Sequence, residues 1–360
     1  MRNLVVAAGG GGDAITAVAL RCGLLDEPVV LTYSWDRLMI DPLPGPRTAN
    51  DFDGLHQLAP HVNEVAPATT TRPPAGSSLP RLAAELPARL VLLDPSGGAV
   101  GMATQIDAAA AYFAADDIVL VDVGGDALTD GADPGLRSPL ADQLALAACV
   151  LVGRPARLVV TGAGLDGEIP AEIVLQRLEG LAAHRLAPID GEGVALIRHV
   201  FGWHPSEASG MLAAAADGRR GRVEVRDAGD HVELTGRTAE VFAVDAVRAA
   251  AVTPATLLGR TTSLSEAEAV IRDVTGVSEI RYESTKANQM RDRTAHQPSA
   301  ADLAAVDAHA SAARKRGADF ISARRLAELI GASSLDAYAR LSSLLSAQRP
   351  DRFEPSLYRV

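Results

Sequence analysis

The segment Asp122-Val-Gly-Gly-Asp-Ala-Leu-Thr-Asp-Gly131 follows the apolar run Ile118-Val-Leu-Val121 and precedes Asp133 and Arg137-Ser-Pro-Leu-Ala-Asp142. A strand that ends in Asp, turns on paired glycines and returns further acidic groups concentrates charge where a plain connection needs none. Carboxylates gathered in this way can hold a divalent ion through oxygen ligands, act as general acid or base where neighbours raise a pKa, or accept hydrogen bonds from ligand hydroxyls. Asp122 and Asp126 are read as a metal-binding pair, with Mg²⁺ the expected cofactor because its ligands are oxygens. Both, with Asp142 in the first turn of the next helix, are catalytic candidates, and Gly124, Gly125, Arg137 and Ser138 are expected to contact the ligand. Asp130 and Asp133 read better as turn residues, since Asp favours turns for backbone reasons.

Other apolar runs end in similar chemistry. Asn3-Leu-Val-Val-Ala-Ala8 runs into Gly9-Gly-Gly-Gly12 and then a helical pattern with Asp13 as its expected N-cap, which makes a strand, a glycine turn and a helix N-terminus. Gly10, Gly11, Gly12 and Asp13 are expected ligand contacts, although the spacing is neither G-x-G-x-x-G nor a P-loop. The strand Pro28–Tyr33 leads to Asp36 and Arg37 and to a proline-rich loop whose Asp41 and Arg47 either meet the ligand or pair with each other. Arg89–Leu93 exits through Asp94-Pro-Ser96-Gly97, where Ser96 and Gly97 are candidates. Ala156–Thr161 exits through Gly162-Ala-Gly-Leu-Asp-Gly-Glu168, which adds Asp166 and Glu168 as candidate bases. Lys286, one of only two lysines, sits in Tyr282-Glu-Ser-Thr-Lys286 beside two hydroxyls and is a further ligand candidate.

Strands near residues 4, 29, 90, 118 and 157 alternate with helical segments, the pattern of an α/β fold with a doubly wound, mainly parallel, Rossmann-like sheet. The acidic and glycine-rich exits then share the sheet's carboxyl edge, where such sheets bind ligands. Residues 1–190 are read as this core. Residues 191–295 complete it with a helical stretch over 194–218, a hairpin of Arg222–Arg226 and His231–Thr235 turning at Asp227-Ala-Gly-Asp230, and a strand at Val241–Val244. Residues 296–360 read as a helical C-terminal extension. Residues 66–80, rich in proline and small residues, read as a surface loop.

With 48% apolar residues in 360, the chain can bury a full core. Its 45 acidic against 34 basic residues, net −11, argue against a general grip on nucleic acid or anionic membrane. No run reaches the ~18 apolar residues of a membrane span, and the opening apolar run is too short for a secretory signal. A cytoplasmic homo-oligomer acting on a small molecule is expected. Cys22 and Cys149 read as reduced core residues. No H-x-x-x-H or G-x-S-x-G pattern supports a zinc site or a serine hydrolase.

In combination, Gly9-Gly-Gly-Gly-Asp13, Asp122-Val-Gly-Gly-Asp126, Arg137-Ser-Pro-Leu-Ala-Asp142 and Gly162-Ala-Gly-Leu-Asp-Gly-Glu168 resemble an uncharacterised domain-of-unknown-function family (family 1152) of archaea and actinobacteria, over roughly residues 1–285. The resemblance implies one continuous α/β domain and supplies no activity. From the residues, the leading expectation is an enzyme for a nucleotide, nucleoside or phosphorylated sugar, working by group transfer or hydrolysis. Two alternatives stand beside it. One is metal-free cleavage or transfer at a glycosidic bond by paired carboxylates. The other is a small-molecule sensor, since Ile321–Arg340 has helix-turn-helix spacing; its second helix offers only Arg340 as a basic group, so a packing role is the preferred reading.

Overall fold

The computed structural model describes residues 2–21, 28–226, 230–290 and 294–360; Cys22 and the hairpin residues Asp227, Ala228 and Gly229 lie outside them. Its strands are β1 (Asn3–Ala7), β2 (Val29–Thr32), β3 (Phe52–Asp53), β4 (His56–Ala59), β5 (Val62–Val65), β6 (Thr70–Thr71), β7 (Arg89–Leu92), β8 (Asp117–Val123), β9 (Ala156–Thr161), β10 (His184–Leu186), β11 (Gly221–Val225), β12 (Asp230–Leu234), β13 (Val241–Asp245), β14 (Phe320–Ser322), β15 (Phe353–Glu354) and β16 (Leu357–Arg359). Its helices are α1 (Gly11–Leu20), α2 (Leu79–Glu85), α3 (Gly98–Tyr112), α4 (Pro139–Leu151), α5 (Ala171–Gly180), α6 (Gly191–Ile197), α7 (Glu207–Ala216), α8 (Ala246–Ala250), α9 (Ala255–Leu258), α10 (Leu264–Thr275), α11 (Glu279–Met290), α12 (Leu303–Lys315), α13 (Ala323–Leu329) and α14 (Leu335–Gln348).

A nine-stranded mixed sheet, in the order β10-β13-β9-β8-β1-β2-β7-β5-β4, forms the centre. The five strands from β9 to β7 run parallel, and antiparallel strands close both edges. Parallel strands covered on both faces read as continuous apolar runs, which is why Leu4–Ala8 and Ile118–Val121 show no polar alternation. Successive side chains point to opposite faces. Leu4 and Val6 therefore join one core layer with Ile118 and Leu120, while Val5 and Ala7 join another with Val119 and Val121. Cys149 is buried in the first layer as a free thiol.

Three expectations need correction. The stretch 194–218 is not one helix. It breaks after the 3-10 turn Arg198–Gly202, because Pro205 has no N–H to donate and disfavours helical geometry at the preceding residue, and α7 restarts at Glu207. Nor is the C-terminal extension wholly helical: it runs α12, β14, α13, α14 and the β15–β16 hairpin. Its strands complete a second sheet, β12-β11-β14-β16-β15, shared with the hairpin of residues 221–234. Within residues 66–80, β6 pairs with β3, and Ser78 is buried rather than on the surface. No described helix is long and apolar enough to cross a membrane.

The extension has its own apolar centre around Ile321, Leu326, Tyr338 and Leu341. Parallel pairing of β14 with β11, with Val223 opposite Phe320 and Glu224 opposite Ile321, joins it to the rest. Glu224 is fully buried and accepts two bonds from the Arg316 guanidinium at 2.8 and 2.9 Å, with Arg325 at 3.6 Å. Glu224→Ala is expected to lower unfolding free energy by about 1–3 kcal/mol, because Arg316 reaches water while Arg325 is left partly enclosed. Urea unfolding with limited proteolysis checks this: the extension should be cut before the core, and unchanged stability with unchanged cleavage would refute the clamp.

Candidate functional site

At the carboxyl ends of β1 and β8, which are adjacent and in register from Asn3↔Asp117 to Ala7↔Val121, the chain collects its carboxylates. The first helix starts earlier than its sequence suggests. Gly10, at φ 104°, is the N-cap of α1, since only glycine takes that backbone readily, and Asp13 lies in the first turn. Asp13 folds back to accept from the Gly9 N–H at 2.6 Å. Asp122, inside β8, takes one bond from the Gly125 N–H at 3.3 Å, and its other oxygen is buried without a partner. Asp142 enters from the first turn of α4, as expected, with Pro139 at the first helical position. Carboxylate oxygens of Asp13, Asp122 and Asp142 all lie within 4.8 Å of one another. Asp126, the expected partner of Asp122, lines the same cavity but is not one of the converging three.

Burial raises all of these carboxyl groups, and repulsion from acidic neighbours adds to it at Asp13, Asp126 and Asp142. Asp122 is pushed up to about 6, mainly by desolvation against the Gly125 hydrogen bond. Asp126 and Asp142 are raised well above the usual range, by desolvation and then by their acidic neighbours. Asp13 is raised by burial and then by Asp122. Asp166 is pushed up to about 7 by burial and the neighbouring Glu168; one of its oxygens accepts from the Glu168 N–H and the other has no partner. Gly124 leaves room for it, since a Cβ there would overlap the Asp166 carboxyl group, and Gly125 does the same for Val174. These two glycines serve packing and do not line the cavity.

The cavity above this cluster has a volume of about 110 Å³ and is lined by Gly11, Gly12, Asp13, Asp36, Asp126, Asp142, Asp166 and Glu168 from the sequence expectations. It is also lined by groups the sequence left unassigned: His204, Glu207, Arg226, Glu279, Glu283 and Arg324. Glu168 is occupied structurally, accepting from the Arg137 and Ser138 N–H groups at 2.6 and 3.0 Å and from the Ser138 hydroxyl. Ser138 is thus spent on Glu168 rather than capping α4, whose Leu140 N–H goes to Glu279 at 3.1 Å. Asp36, raised to about 6 by burial, accepts from Ser78. Arg37 projects into the space and, among the described residues, its guanidinium makes no hydrogen bond or ion pair.

His204 is 4% exposed, and its Nδ1 accepts from the Ser206 N–H at 3.3 Å. The ring proton is therefore on Nε2, which has no partner. Burial and then Arg37 hold its pKa down at about 3, so it presents a neutral donor. Its signal in the sequence was the His-Pro pair inside an otherwise helical pattern.

A wider vestibule of about 580 Å³ adjoins the cavity and shares Arg37, Ser138, Glu168, Arg226 and Arg324 with it; Arg137 and Lys286 line it further out. Arg137 pairs with Asp230 there, and Lys286 lies over the Tyr282 ring. Four expected contacts lie elsewhere. Arg47 is held by Asp41 and by the carbonyls of Pro44 and Gly45, so it staples its own loop. The exit of β7 is consumed locally, with the Ser96 N–H on Asp94, and neither Ser96 nor Gly97 lines the cavity. Gly10 packs against the Trp35 carbonyl.

Together, fold and site define a mixed α/β protein with an acidic centre at the carboxyl ends of adjacent parallel strands. The chain belongs to the family described as "Protein of unknown function (DUF1152)", whose model matches residues 4–287. No curated protein and no solved structure gives a significant match.

Raised carboxyl pKa values mean that the folded state holds protons which the unfolded chain releases near pH 4. Stability contributed by Asp122 and Asp166 is therefore full below about pH 4 and lost as pH rises through about 6 and 7. His204 acts oppositely, costing stability as pH falls below about 6.5 toward 3. The carboxylates outnumber it. In chelator, the protein should be more stable at about pH 5.5 than at about pH 8, and Asp122→Asn should remove roughly 1 kcal/mol of that difference, since most of the loss at Asp122 falls between about pH 4 and 5.5. Thermal midpoints across pH check this; a profile that is flat, or that rises with pH, would contradict it.

Proposed function

We propose that the chain is an enzyme with a Rossmann-like, doubly wound core that uses Mg²⁺ to act on a nucleotide, nucleoside or phosphorylated sugar, by group transfer or hydrolysis. The carrying observation is the gathering of Asp13, Asp122 and Asp142 oxygens within 4.8 Å of one another: Asp13 and Asp142 line the cavity with Arg37, and behind them Asp122 keeps an oxygen with no partner among the described residues. The strand order supports the placement. After β1 the chain steps outward through β2 to β7, then returns to the other side of β1 as β8, and the loops leaving β1 and β8 diverge. Such a reversal opens the crevice where open α/β sheets bind ligands.

Three oxygen donors at this spacing fit a small, hard divalent cation. Bound there, it would neutralise charge on the phosphoryl group of the ligand. Asp166 would accept the proton of the attacking water or hydroxyl, its pKa near 7 suiting a general base at neutral pH. His204 Nε2–H and Arg37 would hold ligand oxygens. Paired-carboxylate cleavage of a glycosidic bond needs two opposed groups with the bond between them, which a converging trio supports less well. The regulatory reading is also less supported: Leu335 and Ala339 of α14 pack against the core layer, and Arg340 donates to the Pro298 carbonyl.

Acidic side chains around the cavity outnumber arginines nine to three. An anionic ligand should therefore bind only once the cation is present. Thermal-shift titration of nucleotides and sugar phosphates with and without Mg²⁺ tests this. Saturation near a hundredfold Kd should add about 2.7 kcal/mol with Mg²⁺ and little without it, and Asp122→Asn should abolish the difference. A phosphorylated ligand that stabilises wild type and Asp122→Asn equally, with or without Mg²⁺, would overturn the reading.

A further inference from the structure

The family match ends at residue 287, yet one of the three arginines at the mouth of the acidic cavity comes from beyond it. We propose that the C-terminal extension is a working part of the ligand site: Arg324 joins Arg37 and Arg226 in a collar that binds a phosphoryl group of the ligand, the rest of which lies in the vestibule. This rests on the functional reading above for the cation beneath the collar, and it adds a subsite and the source of its third arginine.

The placement follows from the second sheet. Parallel neighbours β11 and β14 end at the same edge, so the residues just past them, Arg226 and Arg324, reach the cavity side by side. Ser322 fixes the start of α13, accepting from the Arg325 N–H while its hydroxyl donates to Glu207. Arg324 stands against Glu207 at 3.7 Å and Glu328 at 3.4 Å, separations long enough for it to turn toward a ligand oxygen. Arg37 completes the ring from the exit of β2.

Arg226 donates to the Asp166 carbonyl and stands 3.8 Å from Glu168, which holds it at the collar. Arg37 is exposed at the rim of the cavity and makes no hydrogen bond or ion pair among the described residues, so its guanidinium is open to a ligand. An independent group points to the same ligand. His204, from the break before α7, presents a buried and unpartnered Nε2–H to this cavity. Three cations and a neutral donor suit the several oxygens and multiple charge of a phosphoryl group; a carboxylate offers two oxygens and one charge. Beyond the collar, Met39, Tyr282 and Met290 give the vestibule apolar surface for the remainder of the ligand.

The test uses the full-length protein with Mn²⁺ and inorganic pyrophosphate as probes, each followed by calorimetric titration. Wild type should bind Mn²⁺, and then pyrophosphate in its presence. Arg324→Ala should keep Mn²⁺ affinity within about twofold and weaken pyrophosphate at least tenfold, with Arg324→Lys in between. Arg324→Lys also serves as the folded reference if the alanine variant is unstable, and it should still bind more weakly than wild type. Pyrophosphate affinity unchanged in both variants would overturn the proposal, as would wild type that binds Mn²⁺ but no pyrophosphate. If wild type binds pyrophosphate without Mn²⁺ and loses it with Arg324, the collar stands and the cation reading fails. If neither probe binds wild type, both fail.

Discussion

Desolvated carboxylates of like charge, held at the ends of two adjacent strands, are the constraint on which this structure turns. Asp13, Asp122, Asp126 and Asp142 are all withdrawn from water, and burial is the largest cause of every raised pKa among them. An isolated buried carboxylate is strongly unfavourable, so such groups take up protons or gain a counter-charge. Local backbone gives only part of the answer, through the N–H groups of Gly9 and Gly125. The remainder is met by proton uptake, which the raised pKa values record, or by the cation proposed above.

Surrounding structure is arranged to keep the cluster compact. Left-handed glycines at 10, 124 and 125 let the loops fold close to Trp35, Asp166 and Val174. Glu168 ties the start of α4 to the exit of β9, and Glu279 reaches from α11 to the N-terminus of α4. Glu283 likewise accepts from the Trp35 indole and the Gly45 N–H. Negative groups that line the cavity thus divide in two. Some are consumed by backbone donors and hold the walls. Others, with free oxygens, face the space where a ligand would sit.

Much of this was legible from one-dimensional pattern. Apolar runs near residues 4, 29, 90, 118 and 157 marked the parallel strands, because strands covered on both faces need no polar alternation. Asp or glycine at their exits marked the edge that carries the site. Ser96 and Gly97 misled because an exit signal does not say which strands are neighbours: β7 lies two places from β1. Arg47 took the other of its two open readings, pairing with Asp41. Arg226 and Arg324 were invisible for the opposite reason. They are brought together by pairing between strands almost a hundred residues apart, and nothing local distinguishes them from surface arginines. His204 was hidden within an apparently continuous helix. The short strands of the extension were masked by the helical periodicity around them.

Asp13, Asp122 and Asp142 are proposed to hold one divalent cation between them. Anomalous diffraction from crystals of the protein grown with Mn²⁺ tests it most directly. A single strong manganese peak coordinated by all three carboxylates, and lost in Asp122→Asn crystals, is the predicted result. Saturating Mn²⁺ that leaves no peak among them, or places it only at surface carboxylates such as Asp130, would contradict the claim.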